Sequence, residues 1–465
     1  MDPVRAQGQW WLPDGSNKRV VGQVEFNPKD GIILDLVGER LGDPGSNTNE
    51  AWSAPVIFGL IPGREVTLLE ALKMPTAGSH PGPGTERLRA EHILVGGNTT
   101  TNAFDRCAVR ISLLDEWSQF GGIDLPNGGA VGDLGFTYIR PEPYRAILGD
   151  AVELQLRPVA RESHSLTEHM ISLAAWWQLD FPEPKHLEEI ERKYLDPLQD
   201  LLSLATDQPI AIRYFELWNS LDEPVIPYRV GRQWAYAPET QPRVAIPLFT
   251  AKQFDFTTCV PAWFRLCDEL SDVRALVFSD RYLGPLPVDT MVTNMAGAAE
   301  ALHRATGAAD SSDLLEQMRT HVDALVDAAP VEERDSVRGF LRHTYDPSLK
   351  RRLIELVDKV GPRATSITGD DISRWASVVR DTRDGLTHRS GAIPSRRVDS
   401  LVMLGLATGL EVLVTTRLMQ LLGIDESQID DAWSVSPRCR YAHDLAERYV
   451  LPGILSLRKT VVRPT

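Results

Sequence analysis

Asp370-Asp371-Ile372-Ser373-Arg374-Trp375-Ala376-Ser377-Val378-Val379-Arg380-Asp381-Thr382-Arg383-Asp384-Gly385-Leu386-Thr387-His388 reads as a helix that runs into a turn. Ile372, Trp375 and Val379 recur at helical spacing and form one apolar stripe. Arg383 falls close to the line through Ile372 and Val379, so its charge does not belong to a freely solvated face. It must pair, snorkel or border a cleft. Gly385 is the expected stop of the helix over 370–384. A turn after it can bring His388 to the same place as Arg383. Outward from this stretch the helical pattern continues on both sides. Further helices are expected over 312–329, with Ser311 or Ser312 as cap, and over 331–344, 347–360, 397–422 and 437–451. Short connections between several of them imply an all-α bundle.

The opposite end of the chain has a different period. Residues 20–26 alternate apolar and polar side chains, as a half-buried strand does, and 31–37 follow after Asn27-Pro28-Lys29-Asp30, which predicts a hairpin. Strands are also expected over 55–60, 65–69, 92–95, 108–114, 136–139 and 151–156. This spacing suits a sandwich or barrel. The middle is mixed, with strands over 166–179 and 210–217 and helices over 184–205, 264–270 and 289–305. Pro184 stands near the start of the first of these helices. The expected architecture is a multidomain α+β protein. It comprises a β-rich sandwich or barrel-like region (1–160), a mixed α/β continuation (161–304) and a helical bundle (305–465).

The net charge of −15 is carried unevenly. From residue 301 onward there are 23 Lys+Arg and 23 Asp+Glu, while the first 300 residues hold 26 basic and 41 acidic residues. So acidic a region does not wrap a polyanion broadly. Arginines cluster locally near the opening stretch, as Arg374, Arg380, Arg383, Arg389, Arg396 and Arg397. Cys107, Cys259, Cys267 and Cys439 are scattered without a C-x-x-C pair, so neither a zinc site nor a disulfide framework is expected. No N-terminal segment pairs basic residues with a long apolar run, and a reducing cytoplasm is the expected setting. The most apolar stretch, 398–424, is interrupted by Asp399, Glu411 and Arg417 and reads as a buried helix rather than a membrane span. Trp10–Trp11 and Trp176–Trp177 are adjacent pairs on strands, which anchor a core with one ring and a rim with the other.

Arginine and histidine with four residues between them have a definite chemistry. RNA can be cut by its own 2′-OH attacking the adjacent phosphorus. A neutral imidazole accepts that proton, and an imidazolium protonates the leaving 5′-oxygen. A guanidinium presents a permanently charged fork to the phosphoryl oxygens. An arginine followed by a histidine after four to six intervening residues also occurs at Arg157/His164, Arg338/His343 and Arg438/His443, so context has to choose among the matches. The bland alternative is that Arg383 pairs with a carboxylate such as Glu411 and His388 is an ordinary turn residue. A carbohydrate-active enzyme built on the β-rich region lacks a recognisable carboxylate pair.

The run 378–388 resembles the signature of the ApeA-like HEPN ribonucleases, an arginine and a polar residue followed by a histidine. The preceding helix, Pro347-Ser348-Leu349-Lys350-Arg351-Arg352-Leu353-Ile354-Glu355-Leu356, is similar to the same family. Gly8-Gln9-Trp10-Trp11-Leu12-Pro13-Asp14, Gly22-Gln23-Val24-Glu25-Phe26 and Gly31-Ile32-Ile33-Leu34-Asp35-Leu36 resemble the opening of the ApeA N-terminal domain. The resemblance implies an anti-phage defence protein acting by abortive infection. Its C-terminal HEPN bundle would be a metal-independent, cofactor-free endoribonuclease, active as a homodimer on cellular RNA, tRNA foremost. Its N-terminal region would sense a phage-derived trigger or restrain the enzyme, with no membrane contact. Carried over by position, Arg383, Asp384 and His388 are catalytic; Arg380, Arg389, Arg396 and Arg397, from the local cluster of arginines, are the expected RNA contacts, since clustered cations can hold a phosphate backbone. Asp384 departs from the asparagine frequent in the family. Ionised, it donates no hydrogen bond and either pairs with Arg383, raises the pKa of His388 or repels phosphate. The rival implication is a non-catalytic HEPN module that binds nucleotides or partners, with a docking N-terminal domain.

Overall fold

A computed structural model describes residues 4–13, 18–27, 31–38, 41, 52–74, 85–124, 137–164, 169–219, 224–229, 246–283, 286–306, 312–341, 347–387 and 399–458. They form two compact units, Met1–Phe264 and Arg265–Thr465.

The first unit opens with seven strands: β1 (Val4–Trp11), β2 (Val20–Asn27), β3 (Gly31–Val37), β4 (Ser53–Ile61), β5 (Arg64–Lys73), β6 (Thr85–Ala90) and β7 (His92–Val95). They pair in the order β7-β5-β4-β1-β2-β3-β6. Antiparallel pairing of β6 with the end of β5, Leu72 opposite Arg89, closes the ring into a barrel. Closure removes the open edges that a sheet otherwise exposes. The expected hairpin is present, with Asn27 opposite Gly31. Along β2, Val20, Gly22, Val24 and Phe26 point inward. They meet Trp10, Ile32, Leu34, Ile57, Leu68 and Leu88 in one apolar core. Trp10 is fully buried, and the backbone of Gly59 lies against its ring, where any side chain would collide. Trp11 faces the rim, edge-on to Phe58 with ring centroids 6.1 Å apart.

The same unit then builds β8 (Ala103–Ile111), α1 (Leu114–Ser118), β9 (Ile123–Asp124), β10 (Thr137–Tyr138), β11 (Tyr144–Ile147), β12 (Glu153–His164), β13 (His169–His186), α2 (Asp196–Thr206), β14 (Ile212–Trp218) and β15 (Ile226–Arg229). β15 joins β7, and a second sheet has the order β11-β12-β13-β8-β14. The expected break at residue 160 is absent, because β12 crosses it in continuous register with β13. Nor does a strand fill 108–114: Leu113 adopts a left-handed conformation (φ 61°) and Leu114 opens α1. The helix expected from Pro184 begins only at Leu187, and Pro184 lies in β13. The β13–β8 register shifts between Asp180 and Lys185. A proline is tolerated there because a bulged stretch needs no complete ladder of donors.

The unit boundary falls within α3 (Phe256–Glu269). The second unit is helical: α4 (Ser271–Leu283), α5 (Val288–Thr306), α6 (Ser312–Ala328), α7 (Arg334–Leu341), α8 (Leu349–Val360), α9 (Ile372–Thr387), α10 (Ser400–Leu422), α11 (Glu426–Val435) and α12 (Pro437–Leu445). The division expected at 304/305 cuts α5, which instead packs on α8, α9 and α10 within this unit. α10 is the central helix. It is long and apolar enough to cross a membrane, but 78% of its apolar window is buried within the protein. It packs tightly through Gly405 and Gly409, where a Cβ would come within 2.6 Å of Val450 and Ile367.

Candidate functional site

α9 places Arg383. Trp375, Ala376, Val379 and Thr382 are buried on one side of the helix. Arg383 follows at the margin of that side with its side chain 31% exposed, as the position of its charge relative to the stripe requires. The buried Thr382 hydroxyl donates to the carbonyl of Val378 at 2.7 Å, which leaves it satisfied.

The helix does not stop at Gly385 but continues to Thr387. Leu386, seven residues beyond Val379, packs against the buried cluster of Val292, Met403 and Ala407. Leu386 is only partly buried, so it gains part of the roughly 3 kcal/mol of a fully buried leucine, of the same order as or larger than the roughly 1 kcal/mol cost of a helical glycine. The Thr387 hydroxyl then reaches back to the carbonyls of Arg383 (3.1 Å) and Asp384 (3.3 Å). Final-turn carbonyls lack helical partners, so these bonds close the helix end. His388 is the next residue. It lies outside the described residues, as do Arg389, Arg396 and Arg397.

Two carboxylates clasp Arg383. Its Nη1 donates to Asp384 Oδ1 at 3.1 Å, and its Nη2 stands 3.7 Å from Glu300 Oε2 on α5. Glu300 is only 20% exposed and also takes Arg304 at 2.8 Å. Glu411, the carboxylate offered by the bland reading, is engaged elsewhere. It is buried in α10 and neutralised by Arg281 and Arg438. That assignment also gives the Arg438/His443 match a structural role, and His443 is half-exposed beside Asp444. Arg157 stands on β12 in the other unit, and His343 lies outside the described residues. Arg380 sits exposed, with its guanidinium on Asp381 at 2.6 and 2.9 Å.

A polar cluster beside this pair was not anticipated. His303, one turn beyond Glu300 on α5, is hydrogen-bonded through Nε2 to Glu355 of α8. Its Nδ1 lies 3.2 Å from Arg352 Nη1. A guanidinium only donates, so Nδ1 accepts and Nε2 carries the proton toward Glu355. Burial pushes the Glu355 carboxyl up. The hydrogen bonds from His303 and Arg351 overcome this and hold it below the usual carboxylate range. His303 and Glu355, with Arg351, Lys359 and Arg417, line a cavity of about 260 Å³. The signal available in the sequence was Glu300, His303 and Arg304 at i, i+3 and i+4 on an otherwise alanine-rich helix.

The family models match both parts of the chain. ApeA N-terminal domain 1 matches residues 5–258, and Apea-like HEPN matches residues 293–428. The chain belongs to the ApeA family. It is an anti-phage defence HEPN protein, and the HEPN match contains Arg383, Asp384, His388, Glu300 and the His303–Glu355 pair. It begins at residue 293, inside α5, which agrees with the packing of that helix in the second unit. No curated protein and no solved structure matches the chain significantly.

Proposed function

We propose that the protein is a latent, metal-independent endoribonuclease that cuts cellular RNA, tRNA foremost, in the cytoplasm during abortive infection. HEPN domains are in general nucleases. What supports the reading for this chain is Arg383 itself: a half-buried guanidinium at the end of α9, held by two carboxylates, five residues before His388. The imidazole of His388 takes the proton of the attacking 2′-OH or supplies one to the leaving 5′-oxygen. Arg383 meets the non-bridging oxygens, where negative charge builds as the phosphorus becomes five-coordinate. One histidine cannot hold both protonation states at once, so a homodimer would bring the second copy to a shared seam. The N-terminal region senses a phage-derived trigger or restrains the bundle.

Latency has a local physical basis in this reading. A phosphate approaching Arg383 must displace Asp384 and compete with Glu300, and both carboxylates repel it. The same carboxylates favour one second reading, a HEPN module that binds nucleotides or partners without cutting. Purified wild type and His388→Ala, incubated with total tRNA, separate the two. Cleavage by wild type alone, leaving 2′,3′-cyclic phosphate ends, is expected. Equally intact tRNA with both proteins refutes the nuclease.

A further inference from the structure

The second sheet of the N-terminal unit has one face in the core and one outside. Leu156, Trp177, Val109 and Phe215 are buried on the core side. The opposite side brings four side chains of another kind into one row. Arg157 stands across from Trp176, and Tyr214 across from Arg110. The Trp176 and Tyr214 rings stack, 6.1 Å between centroids and 30° between planes. The Arg110 guanidinium lies 5.9 Å from the Tyr214 ring. Tyr214 is 55% exposed.

A cavity of about 130 Å³ opens in this face, lined by Arg110, Arg161, Ser172, Trp176 and Tyr214 together with Leu173 and Ala174. Among the described residues, no carboxylate lines it. Asp115 pairs with Arg110 at 2.7 Å and Asp180 with Arg106 at 2.5 Å. Arg157 has neither arrangement: its Nε is buried without a hydrogen-bond partner among the described residues. Burial first, and then the positive charges of Arg140 and Arg106, pull its pKa down despite Asp180 and Glu216. Guanidiniums that repel one another at a partly dry surface are destabilising, and an anion relieves them.

The geometry points to a binding site for single-stranded nucleic acid on this face, with one base on the exposed Tyr214 ring, which the 5% exposed Trp176 backs, and the flanking phosphates on Arg110, Arg157 and Arg161. Aromatic rings accept any base by stacking, and arginine serves phosphate and ring alike. A polymer suits the layout better than a free nucleotide. The cavity is of the order of a base, and the cations continue beyond it. Arg161 lies four residues along β12 from Arg157, about 13 Å at strand rise, which is farther than one phosphate bridges. The acidic surroundings of the unit keep the site short. With about three phosphates neutralised, log K should fall with log salt at a slope of about −2.

The test uses the full-length chain and a fluorescein-labelled 2′-O-methyl-U12, which lacks the 2′-OH needed for self-cleavage, read by anisotropy between 50 and 200 mM salt. Saturable binding with that slope is expected. Tyr214→Ala should weaken it about tenfold, and Arg161→Ala should flatten the slope by about 0.7. Both side chains are exposed, and a thermal melt by circular dichroism confirms folding of each variant. Absence of saturable binding overturns the inference, as does binding that neither substitution changes. Displacement by UMP as readily as by unlabelled oligomer overturns the polymer in favour of a mononucleotide. The site lies in the N-terminal unit, so its failure leaves the nuclease reading standing.

Discussion

Asp384→Asn should make the protein a faster ribonuclease. Asp384 accepts from Arg383 at 3.1 Å, with side-chain exposures of 45% and 31%. At that distance two unit charges attract by about 1.3 kcal/mol in bulk water and about 5 kcal/mol at an effective dielectric of about 20. The exposures place the pair toward the watery limit, and the order imposed on both side chains takes back part of the gain. A net value of about 0.5–1 kcal/mol remains. A substrate phosphate must overcome that value before it reaches the guanidinium, and it meets a repelling carboxylate as well. Asparagine keeps the shape and an acceptor oxygen without the charge. Relief of about 0.5–1.4 kcal/mol corresponds to a gain of about two- to tenfold in kcat/KM. It should fall mainly on KM, because the competition is present in the ground state. The assay is steady-state cleavage of a labelled tRNA at two ionic strengths, and the gain should shrink at the higher one. Unchanged or slower cleavage would mean that Asp384 positions Arg383 or serves the chemistry, and the account of latency given above would fail.

Glu355→Gln tests the His303 cluster through pH. The folded carboxyl titrates below its unfolded value, so its stabilisation is present above the unfolded pKa and is lost as pH falls through the folded one. Wild type should therefore melt higher than the variant at pH 7, with the gap narrowing as pH falls below the ordinary carboxylate range of about 4; a gap that does not change with pH contradicts the ion-pair origin. Chain truncation tests the unit boundary. A fragment of residues 305–465 lacks α5 and its buried Val292, Met295, Ala296, Ala299 and Leu302. Each large aliphatic lost from a core costs about 2–5 kcal/mol, so no cooperative melt is expected, whereas 265–465 should melt cooperatively. A sharp transition from the shorter fragment refutes the assignment.

What the sequence discloses is what depends on near neighbours. The β2–β3 hairpin is written in a two-residue alternation and a turn of Asn, Pro and Asp. The helical bundle is written in repeated stripes such as Ile372–Trp375–Val379. The end of α9 was misread because Gly385 is a strong local signal, while the force that overrides it, Leu386 on Met403 and Ala407, is tertiary. Pro184 misled in the same way, since the bulge that admits it belongs to the pairing with β8. Arg383 was legible as a charge in need of a partner. Its partner was not, because Glu300 lies on a helix that nothing in the local pattern ties to α9.

That non-local tie gives α5 a particular place in the site. One face of this helix holds Glu300 against Arg383 and, a turn later, His303 against Glu355 and Arg352. Its apolar side is buried at Val292, Met295, Ala299 and Leu302. A shift of α5 along or about its axis cannot move one polar contact and leave the other, because both stand on the same rigid backbone. In the latent nuclease proposed above, the cavity beside His303 and the guanidinium of Arg383 would be backed by one helix, so a displacement of α5 would change the charge presented to substrate.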